Sequence, residues 1–339
     1  MHAEQDYLTF SACTELAERG YTVLCANNDA SKSGYMTDLD FENMMQDVAL
    51  GVTLPKADGI VLVDANYGVS TMTHLSLNPA IMDERNGRQI NSSLDLYSPA
   101  NGFTDTGANY SAAFTKAFQS GVAARMNRLI EYAEGRLDAI NSGNGTFSDD
   151  EELYIPDALY TGNNNKLFAQ DTRLLSHTSQ AWPLLHKNGS STIQVVYSVR
   201  VASNFQSVAD SYLNGALKTT VKRFLGALAI RVSEDFSFNE DSLTGIEWTS
   251  SHMVPVGAVP GITVPLLTMG MTGHWEYLNA EKIYLNSGSN DTSIAFVEGA
   301  EHTINTCTAC ESYPGEFGDT TKTAYDRIAQ WLGNEGRFI

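Results

Sequence analysis

Positive charge and cysteine are scarce in this chain, and long apolar runs are missing from it. Only 21 Lys and Arg stand against 40 Asp and Glu, a formal net charge of -19. So acidic a surface argues against a nucleic-acid partner and against anionic membrane surfaces. No stretch approaches the roughly 18 apolar residues needed to cross a bilayer, so no membrane span is expected. Four cysteines in 339 residues are too few for a disulfide scaffold. Cys13 and Cys25 stand in apolar stretches and read as small core residues. Cys307-Thr308-Ala309-Cys310 has no second pair to complete a zinc site. It reads as a local disulfide or plain thiols, because a thioredoxin-like C-x-x-C should open a helix after a strand.

Several chemical signatures are also missing. There is no Gly-x-Gly-x-x-Gly and no Walker lysine loop, and His74, His177, His186 and His252 show neither His-x-x-x-His nor His-Glu-x-x-His spacing. No metal and no cofactor is therefore expected. Met1-His2-Ala3-Glu4 carries no charged-then-apolar leader. Asn91, Asn109, Asn144, Asn188 and Asn290 each begin an Asn-x-Ser/Thr triplet, a weak sign of secretion in so Asn- and Ser-rich a chain. The compartment is left open, with secretion conceivable if the natural start lies upstream. No internal repeat is evident.

What is present is ordinary globular text, 42% hydrophobic and 18% charged, long enough to bury a large core. A helix capped by Asp6 is expected to run to Arg19, followed by a strand at Tyr21 to Ala26. Asp40 opens a second helix, with Phe41, Met44, Met45, Val48 and Ala49 as its stripe. Ile60-Val61-Leu62-Val63 has the continuous apolar pattern of a strand in a parallel sheet. Val264 to Met271 and Ile294 to Val297 read as further short strands, and Thr321 to Leu332 as the closing helix. Strand and helix in alternation predict an α/β fold with a mostly parallel, doubly wound sheet. From Asp83 to about Gly245 the text turns richer in Asn, Ser, Thr and Gly. Long helices are expected there at Ala112 to Ile140 and Ser207 to about Arg231, with a strand at Thr192 to Ala202. Three parts follow: 1–82, 83–245 and 246–339.

The order strand, acidic loop, strand, Gly-x-x-His, helix, carried by Ile262 to Trp275, by Phe296-Val297-Glu298-Gly299-Ala300-Glu301-His302 and by Thr320 to Leu332, resembles the α/β-hydrolase superfamily. Phe296 to Cys310 is similar to lipase/esterase-like members of bacteria and fungi. The resemblance implies an α/β-hydrolase-type sheet lacking its first strands, formed by 1–82 and 246–339, with 83–245 as a mainly helical cap. The cap's aromatic residues, Tyr110, Phe114, Phe118, Trp182, Phe205 and Tyr212, would be chiefly cap core, some lining an apolar pocket. It also implies serine ester chemistry: a nucleophile, an imidazole as its base, a carboxylate to orient the ring, and N–H donors for the oxyanion.

His302 takes the imidazole position. Asp64 matches a carboxylate that some lipases keep at the end of the strand after the nucleophile, or simply caps a strand-to-loop turn. Glu276, in Gly273-His274-Trp275-Glu276, is the second carboxylate candidate, and His274 is a pocket donor or an ordinary surface histidine. Met1-His2-Ala3 resembles the loop that supplies oxyanion N–H groups.

The nucleophile is the missing part, since no Gly-x-Ser-x-Gly occurs anywhere in the chain. In one register Asp64-Ala65-Asn66-Tyr67-Gly68 replaces the elbow, with Asn66 where serine should be. In the other, which is favoured, Ile60 to Val63 is the next strand along and the nucleophile segment is absent between Leu50 and Ala57. The favoured register rests on the absence of sustained helical periodicity from Val69 into Asn78-Pro79, and on the resemblance of Ala57-Asp58-Gly59 to Asp64-Ala65 to the family's strand after the elbow. Ser70 lacks the glycine-bounded turn that exposes a serine. The expected function is therefore that of an esterase- or lipase-like family member with impaired or absent activity, its ligand a small apolar ester or related molecule. The alternatives are a non-catalytic small-molecule binder and an incomplete gene model of an active esterase.

Overall fold

Short apolar runs become the strands that matter most. In the computed structural model, which describes residues 10–25, 57–160, 164–211 and 214–338, the elements are α1 (Ser11–Glu18), β1 (Ile60–Val63), α2 (Val69–Ser76), β2 (Phe103–Thr104), β3 (Gly107–Ala108), α3 (Ala112–Asn141), β4 (Glu152–Ile155), β5 (His177–Leu185), β6 (Ser191–Tyr197), β7 (Leu217–Thr220), β8 (Val232–Phe238), β9 (Leu243–Ile246), β10 (Leu266–Met271), α4 (Leu278–Asn286), β11 (Thr292–Val297) and α5 (Thr320–Leu332). The main sheet has the order β1-β10-β11-β5-β6. The first four strands run parallel, and β6 pairs antiparallel with β5. The chain is of the α/β class.

Alternation along β10 explains why helices lie on both faces of this sheet. Leu267, Met269 and Met271 point one way, onto Ala324, Tyr325, Ile328 and Trp331 of α5. Leu266 points the other way, onto Ile283 of α4 and beside Ile60 and Leu62. Each large side chain buried in this manner contributes ~1.5–3 kcal/mol. Helix α5 starts where Asp319 caps it, its side chain accepting from the Lys322 N–H at 2.8 Å. Helix α4 is tied to β5 by the buried carboxylate of Glu281, which accepts from the Ser179 and Gln180 N–H groups, the Ser179 hydroxyl and Trp182 Nε1.

Several expectations need correction. Tyr21 to Cys25 form no strand. Instead α1 packs on α5, with Arg19 on Asp326 and the Tyr21 hydroxyl donating to the Ala329 carbonyl. Cys13 and Cys25 are not separate core thiols but a disulfide, and Cys307 and Cys310 form a second one. The segment 83–245 is not mainly helical. Beyond α3 it holds strands β2 to β8 and most of β9, and β5 and β6 belong to the main sheet. The second long helix shrinks to Val221–Arg223 and Phe224–Leu228. The physical reason lies in Leu217–Thr220, where alternate burial satisfies a strand paired with β4, and in Thr220, whose extended backbone caps the short turn. Val69 does begin a helix, α2, because Gly68 supplies the turn before it. Tyr110, Phe114 and Phe118 are core residues. The helix expected at Asp40, the capping residue Asp6 and Tyr212 lie outside the described residues.

Candidate functional site

In a parallel sheet, ligands approach the loops beyond the carboxyl ends of the strands. Three such loops, after β1, β10 and β11, bring their polar side chains together here. The chain leaves β1 with the Asp64 N–H still in the ladder, donating to Met269 O at 2.7 Å. Asp64 then adopts φ +44, a left-handed conformation that Asp and Asn tolerate better than most residues. The turn is held from both sides. Asn66 Oδ1 accepts from the Gly68 N–H, and Asn279 Nδ2, from α4, donates to the carbonyls of Ala65 and Asn66 at 2.9 and 2.8 Å. Gly68 is required there, since at φ +94 a Cβ would lie 2.0 Å from Met253 O.

The second loop carries Thr272-Gly273-His274-Trp275-Glu276. His274 caps the short turn Trp275–Tyr277, its Nδ1 lone pair accepting from the Glu276 N–H in a long, 3.4 Å bond. The third loop leaves β11 through Gly299, at φ +71. The Gly299 N–H donates to Thr272 Oγ1, and an Ala300–Thr306 bridge closes a small lobe with His302 at its tip. A Cβ on Gly299 would sit 1.9 Å from Phe317 Cγ. Gly299→Ala should therefore cost about 2 kcal/mol or more, from overpacking plus left-handed strain. A thermal or urea melt checks this, and an unchanged midpoint would show that the lobe relaxes freely.

The expected site residues Asp64, Glu276, His274 and His302 converge. His302 Nδ1 lies 2.8 Å from Asp64 Oδ2 and 2.8 Å from Glu276 Oε2. His274 Nδ1 lies 3.8 and 3.6 Å from the same two oxygens. The two short contacts are not equivalent. Only the Asp64 contact has hydrogen-bond geometry, and Glu276 Oε2 is buried without a hydrogen-bond partner. One Nδ1–H can aim at one oxygen, and it aims at Asp64. Asp64 Oδ1 meanwhile accepts from the Met271 N–H at 2.9 Å.

Electrostatics follow from that crowding. Burial disfavours the His302 imidazolium. The Glu276 charge, the hydrogen bond to Asp64 and the Asp64 charge outweigh it and push the ring up to about 11. Burial raises Glu276 above the ordinary glutamate value, and the Asp64 charge adds to this while His302 opposes it. Burial, then the neighbouring His302 and Arg200 charges, hold His274 well below the ordinary histidine value, so it is neutral. Of the two rings, His302 is thus held protonated at neutral pH and His274 neutral.

No family model, curated protein or solved structure matches the chain. The site therefore has to be judged by its own chemistry. Among the described residues, no serine, threonine or cysteine hydrogen-bonds to His302. Ser70 is fully buried on α2 and donates to Ser251 Oγ at 2.9 Å. His2 and Ala3, the expected oxyanion residues, lie outside the described residues. Sequence reasoning missed Asn279, which clamps the Asp64 turn, and Thr272, which holds the root of the His302 lobe. Neither stands in a motif that could have marked it.

Proposed function

We propose that this chain is related to the serine carboxylic-ester hydrolases of the α/β-hydrolase superfamily and retains the imidazole–carboxylate half of their site. The observation that carries this reading is the 2.8 Å bond between His302 Nδ1 and Asp64 Oδ2, joining the loops after two parallel strands. In such enzymes the ring takes a proton from an attacking hydroxyl while the carboxylate orients it. Here Nδ1 is engaged by Asp64, so Nε2 is the nitrogen an attacking hydroxyl would meet. The part of 83–245 outside β5 and β6 would be the cap, and a small apolar ester the ligand class. Two disulfides fit an oxidising compartment.

Two features argue that serine-type turnover is weak or absent. The chain has no Gly-x-Ser-x-Gly, and a ring held protonated to about pH 11 cannot serve as a base at neutral pH. In a chromogenic short-chain ester assay at pH 7.5, wild type and His302→Ala should both run at background. A wild-type rate that His302→Ala lowers by ~10³-fold or more would reveal an attacking hydroxyl and overturn the proposed loss of activity.

A further inference from the structure

The same four side chains have a property that acyl transfer does not require. Each offers one ligand atom, and the four atoms all lie within 4.8 Å of one another. A tetrahedral zinc site with bonds of ~2.0–2.1 Å has ligand–ligand edges of ~3.3–3.4 Å. The contacts among Asp64, His274, Glu276 and His302 of 2.8, 2.8, 3.6 and 3.8 Å straddle that edge. Opening the His302 contacts and closing the His274 contacts by ~0.5 Å would equalise them. A second observation points the same way. Glu276 Oε2, on a side chain 5% exposed, faces this cluster without a hydrogen-bond donor, a costly arrangement for a buried carboxylate. The charges match as well once His302 has given up its proton, since two carboxylates and two neutral imidazoles balance one divalent cation.

We propose that Asp64, His274, Glu276 and His302 form a four-coordinate site for a zinc-class divalent cation. His274 Nδ1 accepts only a long, 3.4 Å bond from the Glu276 N–H, which the metal would replace. His302 Nδ1 gives up its proton to solvent when the metal takes its place, so one proton leaves as the metal enters. The histidine side chains, 21% and 34% exposed, leave a way in from solvent. Asp64 is braced by the Met271 N–H, the kind of supporting contact a ligand set needs. Nitrogen and carboxylate donors in a tetrahedral set favour zinc or cobalt(II) over magnesium or calcium, which prefer six or more oxygens.

The test uses the full chain, stripped with EDTA, desalted, and titrated with ZnCl₂ by calorimetry and with CoCl₂ by visible absorption. The expected result is one equivalent per chain with the intense d–d bands of tetrahedral cobalt. His274→Ala and Glu276→Gln should each weaken binding by about 100-fold or more, since even the loss of an outer partner costs 10–100-fold. Circular dichroism and a melt of each metal-free variant check folding. Should Glu276→Gln fail to fold, His274→Ala decides alone, because His274 packs at the rim of the cluster. Absence of binding, an octahedral cobalt spectrum, or zinc affinity unchanged in a folded His274→Ala would each overturn the site. These readouts do not depend on the hydrolase reading, which the ester assay with EDTA present tests separately.

Discussion

Lys166→Met should cost about 3–5 kcal/mol of stability, the largest loss expected of any single substitution considered for this chain. Lys166 is fully buried, and its Nζ lies 2.9 Å from Asp157 Oδ1. That contact is an ion pair without good hydrogen-bond alignment, since Asp157 Oδ1 has no hydrogen-bond partner. The ammonium instead donates to the carbonyls of Ser76 and Asn164 and to Asn164 Oδ1. Asp157 Oδ2 accepts from Asn78 Nδ2. Next to this pair, buried Arg125 of α3 grips both oxygens of Glu84 and the carbonyls of Asn78 and Pro156. Together these groups fasten the end of α2 to α3 and to the turn after β4. Burial penalises the Asp157 charge, but Lys166, Ser207 and Asn78 overcome it and hold the carboxyl below its usual value. Removing the ammonium strands a buried carboxylate, whereas removing both charges does not. The double variant Asp157→Asn/Lys166→Met should therefore recover a good part of the loss in a urea melt. A single variant within ~1 kcal/mol of wild type would mean that water reaches this cluster freely.

The sequence was most readable where local pattern and tertiary role agree. Strands β10 and β11 and helix α5 lie within two residues of expectation, because an apolar run closed by glycine and an amphipathic stripe behind Asp319 mean the same thing locally and in the fold. Placement of His302 beyond Gly299, and of Asp64 beyond β1, followed from those strands. The text from Leu217 to Leu228 misled because leucine, alanine and lysine carry helix propensity while pairing with β4 decides the outcome for its first four residues. The Cys13–Cys25 pairing could not be read from apolar surroundings, because it depends on two backbones coming within 6.1 Å. The ligand-like geometry of the site was hidden for a similar reason. Its members come from loops after β1, β10 and β11, with Asp64 and His302 238 positions apart, so no spacing rule applies.

Titration of His302 by NMR should show an imidazolium that persists across the neutral range and deprotonates only near pH 11 in metal-free protein. The folded value lies above the ordinary 6.5, which sets the sign of its effect on stability. The contribution is fully present below pH 6.5, declines as pH rises beyond it, and is gone above about 11. The protein should accordingly lose stability on the alkaline side through this ring, an effect that His302→Ala removes. Burial opposes the shift, so the rise must come from the two carboxylates, with the Glu276 charge the largest raising influence. Glu276→Gln keeps the side-chain shape while deleting that charge, and should bring the His302 midpoint down by about 1–3 pH units. Asp64→Asn should lower it too, but that change also disturbs the Met271 N–H that Asp64 accepts, so Glu276→Gln is the cleaner measurement. A wild-type midpoint near 6.5 would mean that the carboxylates do not hold the ring. His302 would then be free to act as a base at neutral pH, and the electrostatic ground for weak ester turnover would be gone.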